Sequence, residues 1–172
     1  ALPLAAAGVD VAGIDLSPDM VARLRAKDDA GTVDVTVGDI ATARVDGSFS
    51  LVVLVFNTIM NLTTQDQQVA CFANAAAHLR PGGRFVVEVI VPALRSLPPG
   101  QDVRPFAFED GHVGVEHFID LVEQQAVSHH FIGTGDQVSA HAMPFRYVWP
   151  SELDLMARLA GMHRVHRWAD WD

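Results

Sequence analysis

The stretch VAGIDLSPDM, residues 11–20, decides the fold because it joins a short apolar strand directly to the start of a helix. Its β-branched residues predict a buried strand over residues 9–15 that ends in Asp15. Ser17 is a favourable N-cap, and Pro18 suits the first position of the helix that follows. The carboxylate of Asp15 is therefore expected at the carboxyl end of a sheet, where open α/β sheets bind ligands.

Residues 1–91 alternate between helical and strand patterns. Helices are predicted over residues 1–7, from Ser17 to about Ala30 and from Thr64 onward, and strands over residues 9–15, 32–40, 49–57 and 84–91. The third helix has a capping-box pattern in Thr64 and Gln67, and its predicted apolar face is Val69, Phe72, Ala73, Ala76 and Leu79. PGG, residues 81–83, predicts a turn. This order predicts a Rossmann-like, doubly wound α/β sheet.

The apolar period changes from 3.6 to two in the second half of the chain. Three antiparallel strands are predicted over residues 112–121, 126–132 and 137–149, with a turn at residues 133–136. A helix is predicted over residues 150–162, and residues 163–168 are predicted to begin a strand. We therefore expect one domain, residues 1–172, with a Rossmann-like core in residues 1–104 and 150–172 and an antiparallel insertion in residues 105–149 that covers the substrate.

The composition excludes several classes of function. Lys and Arg number 12 against 21 Asp and Glu, a formal charge of −9, which argues against a nucleic-acid partner. No apolar run approaches the length that spans a bilayer, so we expect no membrane partner. The single cysteine, Cys71, excludes an internal disulfide and a cysteine-based zinc cluster, and it fits a reduced, cytoplasmic setting. The sequence leaves open whether the protein forms a homodimer.

Two acids occupy matching positions at the ends of predicted strands. Asp15 and Asp39 each follow a strand, so both are expected at the same edge of the sheet. A carboxylate there can accept hydrogen bonds from both ribose hydroxyls of a nucleoside cofactor. The competing interpretation is that Asp15 is only a helix-start acid and Asp39 only a turn acid. Their matched positions favour the interpretation that both acids bind a ligand.

Four stretches together resemble the class I S-adenosylmethionine-dependent methyltransferases. They are GVDVAGIDLSPDM (8–20), VTVGDI (35–40), FSLVVLVFNTIMNL (49–62) and HLRPGGRFVVEV (78–89). The later stretch FRYVWPSELDLMARLAGM (145–162) is similar to small-molecule methyltransferases, including the amino-sugar N-methyltransferases of antibiotic pathways. The resemblance implies S-adenosylmethionine as cofactor and a small-molecule substrate.

The resemblance also implies seven cofactor-binding residues: Asp15, Leu16, Met20, Asp39, Ile40, Phe56 and Asn57. Asp15 would bind the ribose hydroxyls, and Leu16 and Met20 would pack on the adenine. Asp39 would accept from the adenine amino group, and Ile40 would cover the ring. Phe56 and Asn57 would lie near the methionine part. The alternative for Met20 is an ordinary core position, and the alternative for Asn57 is a turn residue that binds only its own backbone.

The family pattern also contains a first strand and a Gly-rich loop ahead of the part that matches here, and a further antiparallel strand after it. In that fold the first strand lies between the strand that ends at Asp15 and the strand that ends at Asn57. We therefore expect residues 1–172 alone to be partly folded or aggregation-prone and to bind the cofactor weakly or not at all. The expected domain is thus incomplete at its amino end and at its carboxyl end.

No catalytic triad is predicted, and a general base is not assigned, because methyl transfer from a sulfonium depends mainly on orientation. Five histidines lie in the antiparallel segment: His112, His117, His129, His130 and His141. Polar strand decoration is favoured for them over a general base or a metal site, and no metal is expected. Tyr147 and Trp149, on one strand face with Phe145, are predicted to line the substrate pocket, with ordinary packing as the alternative. Glu88, inside an apolar strand, requires a partner.

The leading interpretation is methyl transfer from S-adenosylmethionine to a nitrogen or oxygen of an unidentified small molecule, compromised in residues 1–172 alone. The alternative from another class is a non-catalytic Rossmann-like remnant with a role in oligomerisation. A nicotinamide-dependent oxidoreductase is a second enzyme class to consider, because the ribose of its cofactor also binds an acid that follows a strand. It is less favoured, because the stretches GDI and LRPGG argue against it.

Overall fold

The computed structural model describes residues 1–28, 30–134 and 137–171. In its first half the elements are α1 Leu2–Ala6, β1 Val11–Asp15, α2 Pro18–Arg25, β2 Val33–Val37, β3 Phe49–Leu54, α3 Gln65–His78 and β4 Leu79–Val87. In its second half they are β5 Val103–Glu109, β6 His112–Asp120, β7 Gln125–Thr134, β8 Gln137–Arg146 and α4 Pro150–Leu159. Short 3-10 helices lie at Thr58–Asn61 and Leu94–Ser96. Residue 29 of the predicted second helix and residues 135 and 136 of the predicted turn lie outside the described residues.

The helix starts follow their local sequence signals. The Ser17 hydroxyl accepts a hydrogen bond from the Met20 N–H at 3.2 Å and caps α2, as predicted. Thr64 and Gln67 form the predicted capping box at the start of α3, each side chain accepting from the backbone N–H of the other residue. Gly8 has a φ of 82° just after α1, which only glycine adopts without strain.

The four strands of the first half form two separate parallel pairs. β1 pairs with β2 in a register that runs from Val11 opposite Val33 to Asp15 opposite Val37. β3 pairs with β4, with Leu54 opposite Val87. Among the described residues no main-chain ladder joins the two pairs, so β1 and β3 each have one edge without a strand partner. A strand between them stays a prediction.

The antiparallel sheet has four strands in the order β5-β6-β7-β8, one more than predicted. The missed strand is β5, which lies at the edge of the sheet and contains Pro105. Proline lacks a backbone N–H donor, so its presence in a sequence argues against a strand. An edge strand nevertheless tolerates proline. The register shifts between Pro105 and Ala107, where the strand is irregular.

Two further predictions were wrong. β4 begins at Leu79 and includes the PGG stretch, with Gly82 at a φ of 79°, so the glycines bend the start of the strand and do not form a separate turn before it. Residues 163–168 form no strand. Arg167 instead donates to the Pro150 carbonyl and to Asp154, both at 2.9 Å, which ties this segment to α4.

The main core lies where α3 and α4 meet the antiparallel sheet. Its fully buried members include Ile59, Phe72, Tyr147, Val148 and Met156. Ring contacts between Phe118 and Tyr147 and between Phe72 and Phe85 join the sheets and helices around this core. The described helices include none that is long and apolar enough to cross a membrane.

A buried polar network fixes the antiparallel sheet against the helices. Arg146, at the end of β8, donates to Glu152 of α4 at 2.7 Å, to Gln68 of α3 at 2.5 Å and to Gln124 at 3.0 Å. The Gln68 amide donates in turn to the carbonyls of Ile59, Leu62 and Arg146, at 3.1–3.2 Å. Arg146 is only 4% exposed, so its charge depends on these partners.

We expect Arg146→Met to lower the free energy of unfolding by about 3–5 kcal/mol, because it leaves the largely buried Glu152 carboxylate without its cation. Urea unfolding measures the change. The control is Arg164→Met, whose ion pair with Asp154 is exposed and 3.4 Å long, and which should cost about 0–1 kcal/mol. Equal effects of the two substitutions would show that the network is not what holds the sheet.

The same pair predicts a pH dependence. Burial raises the pKa of Glu152, but hydrogen bonds from Arg146, Gln65 and Gln124 outweigh it and lower the pKa below its ordinary value of 4.5. A lowered folded-state pKa means that the stabilisation is complete above pH 4.5 and is lost as the pH falls through the folded value. Unfolding curves from pH 7 to pH 3 should show this acid loss, and Glu152→Gln should reduce it.

Candidate functional site

The carboxyl edge of the β1–β2 pair brings Asp15 and Asp39 together as predicted. The Gly38 N–H donates to the Asp15 carbonyl at 2.9 Å, so Asp39 follows immediately on the neighbouring strand end. Each carboxylate uses Oδ1 to accept a backbone N–H two residues on, from Ser17 and from Ala41, both at 2.8 Å. No hydrogen bond among the described residues reaches Oδ2 of either acid. Both carboxylates are thus oriented and keep an oxygen for a ligand.

Apolar side chains stand exposed beside these acids. Leu16 is 71% exposed, and Met20 is 52% exposed on the first turn of α2. Met20 therefore does not occupy the core position that its helical spacing also allowed. Ile40 is partly buried against the main core. Exposed apolar side chains next to oriented carboxylates are typical of a surface that a ligand covers.

The loop after Asp39 is held by polar side chains of α3. The Asn74 amide donates to the carbonyls of Ile40 and Ala43 at 2.8 and 2.9 Å. The His78 ring accepts from the Val45 N–H at 3.1 Å. Neither Asn74 nor His78 was predicted as a buried residue, because the apolar periodicity of the helix placed neither on its buried face. A signal was present, since amide and imidazole groups recurred four residues apart in an apolar helix.

The pKa of Cys71 in α3 is affected by its burial and by the nearby charge of Asp39. Burial raises the pKa of the Cys71 thiol to about 12, and the charge of Asp39 adds to the rise. A thiol in this state is protonated at neutral pH and is a poor nucleophile. Cys71 is therefore a core residue, in line with its buried position in α3.

The carboxyl end of β3 turns through two consecutive left-handed residues. Phe56 and Asn57 have φ values of 57° and 59°, which is uncommon for asparagine and a clear outlier for phenylalanine. The Asn57 side-chain oxygen accepts from the Ile90 N–H at 2.5 Å, so the residue binds beyond its own turn. The Phe56 ring projects outward, with the residue 84% exposed. Backbone strain of this kind concentrates at ligand sites.

Glu88 has the partners that its position required. Its Oε2 accepts the Phe56 N–H at 2.6 Å, and its Oε1 accepts the indole N–H of Trp171 at 3.0 Å. The pKa of Glu88 is lowered by the Phe56 bond first and by the Trp171 bond second. Neither partner was predictable from the sequence, because one is a backbone group and the other lies 83 residues further along the chain.

The histidines of the antiparallel sheet divide between its two faces. His130 shares a hydrogen bond of 3.0 Å with His112 and another of 3.0 Å with Ser128. His129, on the opposite face, lies near His117, which is 3.4 Å from Asp102. Within the described part of the chain, no group of three or more His, Cys, Asp or Glu side chains could hold a metal ion.

Two of the three aromatic residues that were predicted to share one strand face, Tyr147 and Trp149, lie beyond the end of β8. β8 stops at Arg146, so Tyr147 and Trp149 belong to the segment that leads into α4. Tyr147 is 1% exposed and packs edge-on against Phe118 and Trp149, while Trp149 is partly buried. Burial, more than the charge of Asp120, raises the pKa of Tyr147. The structure therefore places Tyr147 in the core and leaves part of Trp149 at the surface.

The geometry is that of a Rossmann-like methyltransferase fold. Residues 1–83 match a family described as a methyltransferase domain. The CcbJ methyltransferase from Streptomyces caelestis has a similar structure, with a TM-score of 0.85 and 36% identity over 99% of this chain and 70% of that chain. The chain belongs to the class I S-adenosylmethionine-dependent methyltransferases.

Other relatives are more distant. The cypemycin N-terminal methyltransferase of a Streptomyces species is 28% identical over 162 residues, which cover 92% of this chain and 66% of that protein. The S-adenosylmethionine-bound structure of CalS10, an amino pentose methyltransferase from Micromonospora echinaspora, has a TM-score of 0.66 at 22% identity, over 88% of this chain and 65% of that one. The chain thus spans about two thirds of the length of these relatives.

We expect Asn74→Ala to loosen the loop that carries Asp39 and Ile40. The substitution leaves two carbonyls without their donor and should cost about 1–3 kcal/mol of unfolding free energy. Labelling of Cys71 by a disulfide reagent should become faster, because Ala41 of this loop belongs to the same buried cluster as Cys71. Asn61→Ala, at an exposed position, is the control and should change stability by no more than about 0.5 kcal/mol. Unchanged labelling in Asn74→Ala would contradict this role.

Proposed function

We propose that the protein transfers a methyl group from S-adenosylmethionine to an amine of a small molecule. The observation that carries the proposal is the pair Asp15 and Asp39, each oriented through Oδ1 at the same edge of paired parallel strands. Exposed apolar side chains lie directly beside them. A nucleoside with a ribose diol and an adenine ring meets both chemistries.

The residues present fit the cofactor. Asp15 would accept from the ribose hydroxyls, and Asp39 would accept from the adenine amino group. Leu16 and Met20 would cover one side of the adenine, and Ile40 would lie against the other part of the ring. The amino end of α2 adds a positive field at this edge. These assignments leave the corner at Phe56 and Asn57 for the methionine half.

When bound, S-adenosylmethionine supplies an activated methyl group on a sulfonium. Held by Asp15, Asp39 and the apolar side chains beside them, the cofactor would give this methyl group to the amine nitrogen and would keep the electron pair of the sulfur–methyl bond. The contribution of the protein is orientation, which is worth about 7–11 kcal/mol of barrier in favourable cases. A neutral amine attacks without a general base, and its proton leaves to solvent afterwards, so the mechanism requires no triad.

An amine acceptor is favoured over a hydroxyl by the names of the relatives. One is named as an N-terminal methyltransferase of cypemycin, and another as an amino pentose methyltransferase. Both names point to an amine as the acceptor. The negative formal charge of −9 suits an amine, which is cationic in solution, better than an acidic acceptor, and the amine loses one proton to solvent before it attacks as the neutral form.

The proposal is tested with methyl-labelled S-adenosylmethionine and a panel of amino sugars, short peptides and phenols. Label should pass to amine acceptors, and calorimetry should detect binding of S-adenosylmethionine but no binding of nicotinamide dinucleotides. Binding of neither cofactor by the full-length protein would favour the non-catalytic alternative. Transfer to phenols alone would overturn the amine assignment.

We expect Asp15→Ala to raise the dissociation constant of S-adenosylmethionine by tens-fold to about a thousand-fold. The charge-assisted hydrogen bonds to the ribose diol together contribute about 2–4 kcal/mol. Calorimetry provides the measurement. Asp10→Ala removes the same charge just before the opposite end of β1 and should leave the constant within about threefold. Equal affinity in Asp15→Ala and the unmodified protein would reject the assignment.

We expect different outcomes when the two aromatic residues near the core, Tyr147 and Trp149, are each replaced by alanine. Tyr147→Ala should destabilise the fold by about 3–5 kcal/mol, because the ring is fully buried. Trp149→Ala, at a partly exposed ring, should raise the KM for the acceptor while cofactor affinity changes little. Thermal unfolding and steady-state kinetics separate the two effects. If Trp149→Ala changes only stability, the ring is a packing residue and does not line the acceptor pocket.

A further inference from the structure

The corner at the end of β3 is held in a conformation that its own residues disfavour. A bulky residue at positive φ is strained, so Phe56 needs an external constraint, and Asn57 next to it adds a smaller strain. Left-handed residues in succession also project their side chains in directions that an extended strand does not allow. The exposed Phe56 ring is the result of this corner.

Two hydrogen bonds across the ends of β3 and β4 supply the constraint. The Glu88 carboxylate accepts the Phe56 N–H at 2.6 Å, and the Asn57 amide oxygen accepts the Ile90 N–H at 2.5 Å. They run in opposite directions, since Glu88 directly follows β4 and Asn57 lies in the turn that follows β3. Together they continue the pairing of the strands beyond the last main-chain bond, from the Glu88 N–H to the Leu54 carbonyl at 3.0 Å.

The free movement of Glu88 is limited by its second contact. The indole N–H of Trp171 donates to Oε1 at 3.0 Å, while Oε2 faces Phe56. A partly exposed glutamate normally samples several rotamers, and two donors on different oxygens select one. The nearby charge of Asp170 acts against the carboxylate, yet the two donors keep the pKa of Glu88 below its ordinary value.

We propose that Glu88 is a positioning residue that holds the Phe56–Asn57 corner in its left-handed conformation and so fixes where the methyl group meets the acceptor. This inference rests on the proposed methyl transfer for its catalytic part. Glu88 acts through the corner and does not touch the reacting atoms. The adenine and ribose positions at Asp15 and Asp39 belong to the other strand pair, so they do not depend on Glu88.

The first test is a stability cycle that needs no activity. Glycine adopts positive φ without strain, so a Phe56→Gly background no longer needs the constraint. In the full-length protein, Glu88→Ala should lower the Tm by about 2–4 °C when Phe56 is present, and by at most about half as much in the Phe56→Gly background. Equal losses of Tm in the two backgrounds would overturn the proposed constraint, whatever reaction the protein catalyses.

The second test separates kcat from cofactor affinity in the full-length protein. Displacement by about 1 Å can reduce a rate roughly 100-fold, so Glu88→Ala should lower kcat about 10- to 100-fold. The dissociation constant of S-adenosylmethionine, measured by calorimetry, should stay within about threefold. Glu109→Ala removes an exposed carboxylate at the end of β5 and controls for the change of charge. An unchanged kcat in Glu88→Ala would overturn the positioning role.

Conservative variants distinguish position from charge. Glu88→Gln keeps an oxygen for the Phe56 N–H, so its kcat should recover to within about threefold of the unmodified protein. A kcat as low as that of Glu88→Ala would mean that the charge acts directly, which contradicts positioning. Trp171→Phe retains the ring, removes the donor and is expected to fold, and it should lower kcat about two- to fivefold. If the protein transfers no methyl group at all, the stability cycle still decides the constraint.

Discussion

The ion pair between Arg146 and Glu152, completed by Gln68, is the interaction on which the rest of the structure depends. It joins the last strand of the antiparallel sheet to α4 and, through Gln68, to α3 and the 3-10 helix after β3. The aromatic core around Tyr147 begins one residue further along the chain. Because a buried guanidinium requires these partners, the sheet has one position relative to the corner at Phe56.

Short-range signals in the sequence predicted much of this fold. Ser17 and the Thr64–Gln67 box mark helix starts through bonds that span three residues, and the structure contains them. The strand-end position of Asp15 was also correct, since a buried strand followed by a cap fixes where the acid lies. The cofactor roles of the acids stay a prediction, because a ligand contact is a property of a complex.

Long-range polar contacts escaped the sequence analysis. Gln68, Asn74 and His78 are buried in α3, where the apolar pattern had favoured other positions, and their partners lie 6–78 residues away. Glu88 needed a partner, but its donor on Trp171 is 83 residues distant. Such pairs leave no periodic trace in a single sequence. β5 was missed for a local reason, because Pro105 is compatible with a strand only at an edge.

The separation of the two parallel strand pairs has a consequence for local unfolding. Val21 and Val33 are buried but do not belong to the main core cluster, so the β1–α2–β2 unit has a small core of its own. Side chains of α3, and no main-chain ladder among the described residues, connect it to the remainder. We expect amide protons of β1 and β2 to exchange through opening of this unit alone, at a lower free energy than global unfolding. A ligand that bridged Asp15 and Phe56 would merge the two units into one cooperative unit.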